Sequence, residues 1–233
     1  MSSIKILSLI PARAGSKGIE NKNIVELYGK PLIAWSIEAS LSSKYISKTV
    51  VSSDGDTILK IAEEFGAETI KRPENLADDT SSSEEVIEHI LQTLGDGIKN
   101  FEYLMLLQPT SPLRDHSDID NAFNLFLNSD ADALISVYKE DNKILKAFKE
   151  NDNGYIEGIA NNEYPFMPRQ ELPSVYMSNG AIYIIKISQF LQTKRLFCEK
   201  TIAYEMSKEK SLDIDTLENL KQAQIYMECK EDD

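Results

Sequence analysis

Cysteine is nearly missing from this chain: Cys198 and Cys229 are the only two, far apart and without metal-ligand spacing. A disulfide framework and a zinc site are both excluded, and each thiol reads as free. Histidine is as scarce, with His89 inside an expected helix and His116 beside an expected turn, so neither stands where a catalytic base is needed. Basic residues are outnumbered, Lys+Arg 25 against Asp+Glu 38, for a formal net charge of -13. Such a field repels a polyphosphate backbone and argues against nucleic-acid binding. No apolar run reaches the length that crosses a bilayer, and the opening MSSIKILSLIP lacks the long apolar region and cleavage site of a signal peptide. The expected location is cytoplasmic, with no membrane partner.

What is present is an ordinary globular composition, 42% apolar and 27% charged over 233 residues, enough to bury a full core. Residues 4–10 form a compact apolar run, the pattern of a strand buried on both faces of a parallel sheet. A glycine-bearing loop follows, and Pro31 opens a helix over 32–41 whose Leu32, Ile33, Ser36, Ile37 and Ser40 share one face. The rhythm repeats, with strands at 49–52, 67–70, 103–107 and 133–138 and helices at 56–65, from Ser82 to about 94, and from a Ser117 cap to about 127. Ser82 and Glu85 have capping-box spacing. This alternation predicts an α/β fold, a doubly wound sheet with its ligands at the carboxyl ends of the strands. After Tyr138 the pattern changes: 144–149 and 155–159 flank Asn-Asp-Asn-Gly, a hairpin signal that predicts an inserted β arm. Strands at 176–185 and 201–206 and a helix at 217–227 complete the chain.

The loop after the first strand, Pro11 to Asn23, holds two glycines, one hydroxyl and three cations. Glycine lets backbone approach an oxyanion, while Arg13, Lys17 and Lys22 neutralise phosphate charge. Neither a Walker A nor a GxGxxG pattern fits it. The loop resembles the signature of the CMP-sialic acid synthetases, the acylneuraminate cytidylyltransferases: Ala12, Arg13, Ser16, Lys17, Gly18, Lys22 and Asn23 match it. Ala14 stands where many members carry glycine or glutamine, a position expected to act through its backbone. The related Kdo-activating enzymes use a loop closer to Ser-x-Arg-Leu-Pro-Gly-Lys, which is absent.

Further stretches are similar to the same family in the same order. Arg72 to Ser83 resembles its second motif, in which Arg72 and Ser83 approach the nucleotide, although Ser82 alone reads as a helix cap. Gln108-Pro-Thr-Ser-Pro-Leu-Arg114 follows the fourth strand and places an amide and a guanidinium at the sheet edge; the family turns the glutamine to the sugar. An acidic nine-carbon sugar needs a cation for its carboxylate, and Arg169, in Pro168 to Pro173, is the candidate. Asn179 and Tyr183 are candidates for the sugar or its partner-subunit wall, and Leu196 and Phe197 sit where the family surrounds the acyl group.

In Ser211-Leu-Asp-Ile-Asp215 the two carboxylates are two residues apart, so an extended chain points both to one side. Taken alone, the pair suits Mg2+ completed by substrate phosphates, or makes Asp215 a helix cap with Glu218. The resemblance to the family's Ser-x-Asp-Ile-Asp metal motif implies Mg2+ at Asp213 and Asp215.

The resemblance runs from about Ile6 to Ala223. It implies a Rossmann-like nucleotidyltransferase fold in one domain over 1–233, with 139–177 as an inserted arm of a homodimer; no extra C-terminal domain is expected, because the sequence ends soon after the last helix. The implied reaction transfers CMP from CTP to the anomeric hydroxyl of an acylneuraminate with release of pyrophosphate. Ala12 to Ser16, Lys17, Lys22, Asn23, Arg72 and Ser83 are expected around CTP, with Arg13, Lys17, Lys22 and Asp213 in catalysis, and Gln108, Arg169, Asn179, Tyr183 and Phe197 around the sugar. Enzymes for legionaminic or pseudaminic acid share these motifs. A catalytically silent nucleotide-binding module is the other class, with little reason to retain Asp213 and Asp215.

Overall fold

A computed structural model describes residues 5–16, 18–78 and 80–231. In chain order the strands and helices are β1 Ile6–Pro11, β2 Glu26–Leu27, β3 Lys30–Pro31, α1 Leu32–Leu41, β4 Ile46–Ser53, α2 Asp56–Glu64, β5 Glu68–Lys71, α3 Ser83–Leu94 and β6 Tyr103–Leu106. There follow α4 His116–Leu127, β7 Ala133–Glu140, β8 Phe148–Glu150, β9 Ile156–Gly158, β10 Val175–Lys186, α5 Ile187–Thr193, β11 Thr201–Glu205 and α6 Leu217–Glu231. Seven strands make one sheet in the order β11-β7-β10-β6-β1-β4-β5. All neighbours are parallel except at β10, which runs antiparallel to both β6 and β7.

Strand β1 shows why the sheet has helices on both faces. Ile6 and Ile10 enter one apolar cluster with Ile33 of α1, Ile58 of α2 and Phe123 of α4, while Leu7 and Leu9 enter a second with Ile87 of α3 and Phe190 of α5. A continuous apolar strand is therefore satisfied on both sides. The five positions assigned to the inner face of α1 are all buried. A third cluster packs α6, through Ala223 and Met227, against Leu27, Leu32 and Ile214.

Capping explains several helix starts. The expected Ser82–Glu85 box is formed at α3, with both reciprocal hydrogen bonds present. At α4 the cap is Asp115, closed by Asp118, and not Ser117. Either type of residue caps well, but only Asp115 has the extended backbone that aims its carboxylate at the Asp118 N–H. At α6 the box is Thr216 with Asn219, whose N–H donates to Thr216 Oγ1, so Asp215 and Glu218 do not supply it. The pieces absent from the sequence reading are the tiny β2–β3 hairpin and α5, a helix of 7 residues.

Within the arm, the expected 144–149 strand divides into a 3-10 turn over Asn142–Lys146 and the short β8, which pairs with β9. The side chain of Asn151 accepts from the Asn153 and Tyr155 N–H groups and closes the hairpin turn.

The chain runs outward from β1 to β4 and β5, then returns to β6 on the other side of β1. Between β1 and β6 the sheet reverses its strand order, the place where open α/β sheets receive ligands.

Candidate active site

Two hollows lie at this carboxyl edge and meet at Gln108 and Asp213, which line both. The first, about 360 Å³, is walled by the loop after β1, Arg72 after β5 and the start of α3. Arg13, Ser16, Lys22, Asn23, Arg72 and Ser83 line it as expected. Lys17 lies outside the described residues. Ala12 is fully buried under the loop, where its N–H donates to Ser52 O (2.9 Å). The Ala14 N–H, expected to face the nucleotide, donates to Asp54 Oδ1 at 2.9 Å. Gly15 has open space where a Cβ would stand and does not line the hollow, whereas at Gly18 a Cβ would come within 2.3 Å of Asp215 O. Gly18 is therefore needed for close approach of the first loop to the acidic loop, beyond any role in anion binding.

Several buried polar atoms in this hollow have no hydrogen-bond partner among the described residues. The Arg72 side chain is 5% exposed, and its Nε and Nη2 are unmatched apart from a 3.9 Å ion pair of Nη2 with Asp54. Burial lowers the Arg72 pKa, Asp54 opposes that shift, and Arg13 adds to it. Asn23 donates through Nδ2 to Arg13 O (2.8 Å), which leaves Oδ1 buried and unmatched. A folded protein tolerates such groups mainly where something else completes them, because each costs about 1–3 kcal/mol.

The acidic pair is held by its neighbours. Ile214 is fully buried and its N–H donates to Thr110 O (2.9 Å), so Asp213 and Asp215 on either side turn away from the core. Lys22 Nζ lies 2.8 Å from Asp215 Oδ1 and holds that carboxyl below the usual carboxylate range. Burial pushes the Asp213 carboxyl up, repulsion from Asp215 adds to this, and a hydrogen bond from Thr110 opposes it. Asp213 Oδ1 is buried without a partner. No group of three or more His, Cys, Asp or Glu side chains able to hold a metal occurs among the described residues. Two hard oxygen donors, one of them orphaned, fit a cation that takes its remaining ligands from water and substrate phosphate.

The second hollow, about 580 Å³, is lined by Tyr138, Glu140, Asn179, Gly180, Tyr183 and Lys208, with Gln108 at its mouth. Gly180 has φ +73°, and a Cβ there would meet Gln108 Oε1 at 2.3 Å, so the amide rests on bare backbone. Tyr183 Oη is 3.1 Å from Ser178 Oγ. Lys208 Nζ pairs with Glu140 at 3.2 Å and lies 5.5 Å from the centre of the Tyr138 ring. Asn179 is buried with both ends of its amide engaged by protein.

Three expected positions fall elsewhere. Arg169 pairs with Asp141 (3.1 Å) in a neighbouring hollow that shares only Glu140 with the second one, so within one chain it lines neither of the two. Phe197 is 68% exposed and lines neither hollow, while Leu196 packs into the core. Arg114, read as a second cation at the sheet edge, is fully buried; its Nη2 donates to Ser36 Oγ (2.6 Å) and burial lowers its pKa to about 10. Two successive turns, closed by Ser111 N–H to Gln108 O and Arg114 N–H to Ser111 O (3.4 Å each), separate Gln108 from Arg114, and Arg114 lines a different hollow with Trp35 and His116. Neither histidine lines the first or the second hollow. Asp54 and Gly180 were missed; a glycine facing the motif glutamine has no signal in sequence spacing.

The fold defines a class: its likeness to a CMP:2-keto-3-deoxy-manno-octonic acid synthetase complexed with CTP, TM-score 0.71 at 15% identity over 97% of this chain and 99% of that one, is a nucleotidyltransferase fold. The family is narrower. The cytidylyltransferase family matches residues 7–231, and the chain belongs to it. It is 39% identical to an N-acylneuraminate cytidylyltransferase of Escherichia coli O18:K1:H7, over 91% of this chain and 49% of that protein. It is 30% identical to a pseudaminic acid cytidylyltransferase of Campylobacter jejuni, over 95% and 96% of the respective chains. A third relative, post-translational flagellin modification protein B of Campylobacter coli, is 34% identical over 91% and 90%. The chain thus spans about half the length of the Escherichia coli relative and nearly all of the Campylobacter ones. No helix among the described residues is long and apolar enough to cross a membrane.

Proposed function

We propose that the chain transfers CMP from CTP to the anomeric hydroxyl of an acidic nine-carbon sugar, an acylneuraminate in the first instance, and releases pyrophosphate. The observation that carries this is the contact of the two hollows at Gln108 and Asp213. Transfer at the α-phosphorus needs the nucleotide and the hydroxyl in line within one site, and alignment of two bound reactants supplies a large part of the barrier reduction.

In this reading the orphaned Arg72 donors and the Asn23 Oδ1 acceptor complement a cytosine edge, which offers the ring N3 and the carbonyl O2 as acceptors and the exocyclic amino group as donor. Arg13, Lys22 and, from the sequence, Lys17 absorb charge on the triphosphate oxygens. A Mg2+ bound at Asp213 and Asp215 would neutralise phosphate and lower the pKa of the attacking hydroxyl. Gln108, fixed by Gly180, orients the sugar, with Tyr183 on the wall beyond it. The same geometry makes a silent nucleotide-binding module the poorer account, because such a module has no use for a second hollow sharing an acidic residue with the first.

The pseudaminic acid relative covers nearly its whole length with this chain, which supports a second sugar choice with the same donor chemistry. Legionaminic acid remains among the candidates. The arm exposes Phe148, Tyr155, Ile156 and Phe166, large apolar side chains suited to burial against a second copy in a homodimer. Arg169, at the arm's base, is assigned to the partner subunit's sugar. CTP as donor is consistent with a cytoplasmic enzyme.

Pyrophosphate release should be measured with Mg2+ and CTP, UTP or ATP, each against N-acetylneuraminic, legionaminic and pseudaminic acids. Release with CTP and one of the three acids is expected. Release with UTP or ATP at the same rate, or with none of the acids, contradicts the proposal.

A further inference from the structure

Asn179 is a motif residue that sequence similarity assigns to the sugar, yet its amide has no free valence to give one. Oδ1 accepts from the Ala181 N–H (3.1 Å) and from Ser136 Oγ (2.6 Å). A backbone N–H can only donate, so Oδ1 must face Ala181 and the amide orientation is fixed. Nδ2 then points at Ser211 Oγ, 2.8 Å away, with Met206 Sδ at 3.4 Å. Ser211 in turn donates its hydroxyl to Ser207 O (2.7 Å), and its N–H reaches the same carbonyl (3.0 Å). The turn so closed leads, two residues later, to Asp213.

The strand under Asn179 is irregular in a way that serves this contact. Pairing of β10 with β7 shifts register between Ser178 and Tyr183, and Ser136 of β7 fills the gap by accepting the Ile182 N–H (2.7 Å). The bulge aims Asn179 at the acidic loop while the next residue, Gly180, seats Gln108.

We propose that Asn179 is a positioning residue that acts through Ser211 to hold Asp213 against Thr110, so that one bulge sets both the sugar-facing glutamine and the metal-facing carboxylate. The inference rests on the proposed cytidylyl transfer, because it gives the acidic loop a cation to bind. Groups that orient metal ligands typically change metal affinity by about 10–100-fold when removed.

The test uses Mn2+ in place of Mg2+, its binding read by electron paramagnetic resonance in the presence of CTP, for the wild type, Ser211→Ala, Ser211→Thr and Asn179→Ala. Amide exchange of Ile214 in the protein without metal or nucleotide, and the KM for the sugar acid, complete the set. Ser211→Ala and Asn179→Ala are expected to weaken Mn2+ about tenfold and speed Ile214 exchange. The sugar KM should change less than about twofold, and Ser211→Thr, which keeps the hydroxyl, should retain Mn2+ affinity. A sugar KM that rises while Mn2+ affinity and exchange stay at wild-type values overturns the inference. If Asn179→Ala does not fold, Ser211→Ala carries the comparison, since it removes a single hydroxyl. Failure of the wild type itself to bind Mn2+ with CTP overturns the cytidylyl-transfer reading, and this inference with it.

Discussion

The two hollows differ in how far their polar groups are satisfied before any substrate arrives. On the nucleotide side Arg72, Asn23 and Asp213 keep buried donors and acceptors without partners. On the sugar side the groups are paired with one another, Asn179 with Ser136 and Ser211, Tyr183 with Ser178, Lys208 with Glu140. An unsatisfied buried group is costly unless a ligand, ion or water completes it, and in the first hollow three such residues face one cavity, the pattern expected of a site with one fixed partner. The second hollow, already satisfied within the chain, is shaped more by what rests on its backbone, as Gln108 does on Gly180. The relatives share a cytidylyl donor and differ in the acid named, the same division.

Of the two residues that both halves share, removal of the acidic one should have the largest effect. Asp213→Ala is expected to lower kcat by about a thousandfold even at saturating Mg2+, measured by pyrophosphate release. Next comes the nucleotide half alone: Arg72→Ala should raise the KM for CTP about a hundredfold with little change in the sugar KM. Arg72→Lys should recover little of the loss, because an ammonium cannot present the guanidinium's fork. An equal rise in both KM values would erase the distinction between the hollows. The sugar half gives a smaller and opposite result: Gly180→Ala forces a Cβ to within 2.3 Å of Gln108 Oε1. About a tenfold rise in the sugar KM is expected, with CTP binding by calorimetry unchanged.

The smallest effect concerns the ionic tie on the loop that borders both halves. Lys210 Nζ lies 2.8 Å from both Asp115 Oδ2 and Asp118 Oδ2. Burial pushes the Asp115 carboxyl up, but hydrogen bonds from Lys210 and from the Asp118 and Ser117 N–H groups outweigh it, and its pKa is lowered. Burial alone would lower the Lys210 pKa, yet bonds to the two aspartates raise it. A lowered acid stabilises above its unfolded pKa of about 3.9 and loses that as pH falls through the folded value; a raised lysine stabilises below about 10.4 and loses it as pH rises through its folded value. Lys210→Met should therefore cost about 1 kcal/mol, after allowance for solvent screening, nearly constant from about pH 5 to 9. In thermal melts the gap from wild type should narrow below about pH 4.

The same contrast explains what was legible in the sequence. Strand and helix order, the α3 cap and most of the lining of the first hollow followed from contiguous motifs and apolar periodicity, because each signal lies within a few residues of the structure it specifies. The sugar side did not. Asn179, Ser136 and Ser211 are distant in the chain, and their mutual hydrogen bonds give a motif asparagine a role its neighbours in sequence do not disclose. Arg114 illustrates the same limit, since spacing located it beside Gln108 but not the turn that buries it under Ser36. At α4 and α6 the sequence points to Ser117 and Asp215, whereas Asp115 and Thr216 accept the capping N–H groups, a choice among nearby polar residues that the local sequence does not disclose.

The central claim, a nucleotide half and a sugar half joined for attack at the α-phosphorus, is tested most directly by phosphorus-31 NMR of the protein with CTP, Mg2+ and the best of the nonulosonic acids. The account predicts one new phosphodiester resonance, from the CMP-sugar, growing in step with one equivalent of pyrophosphate and without free phosphate. Appearance of CDP with inorganic phosphate or a sugar phosphate, or loss of CTP without the acid, would contradict it.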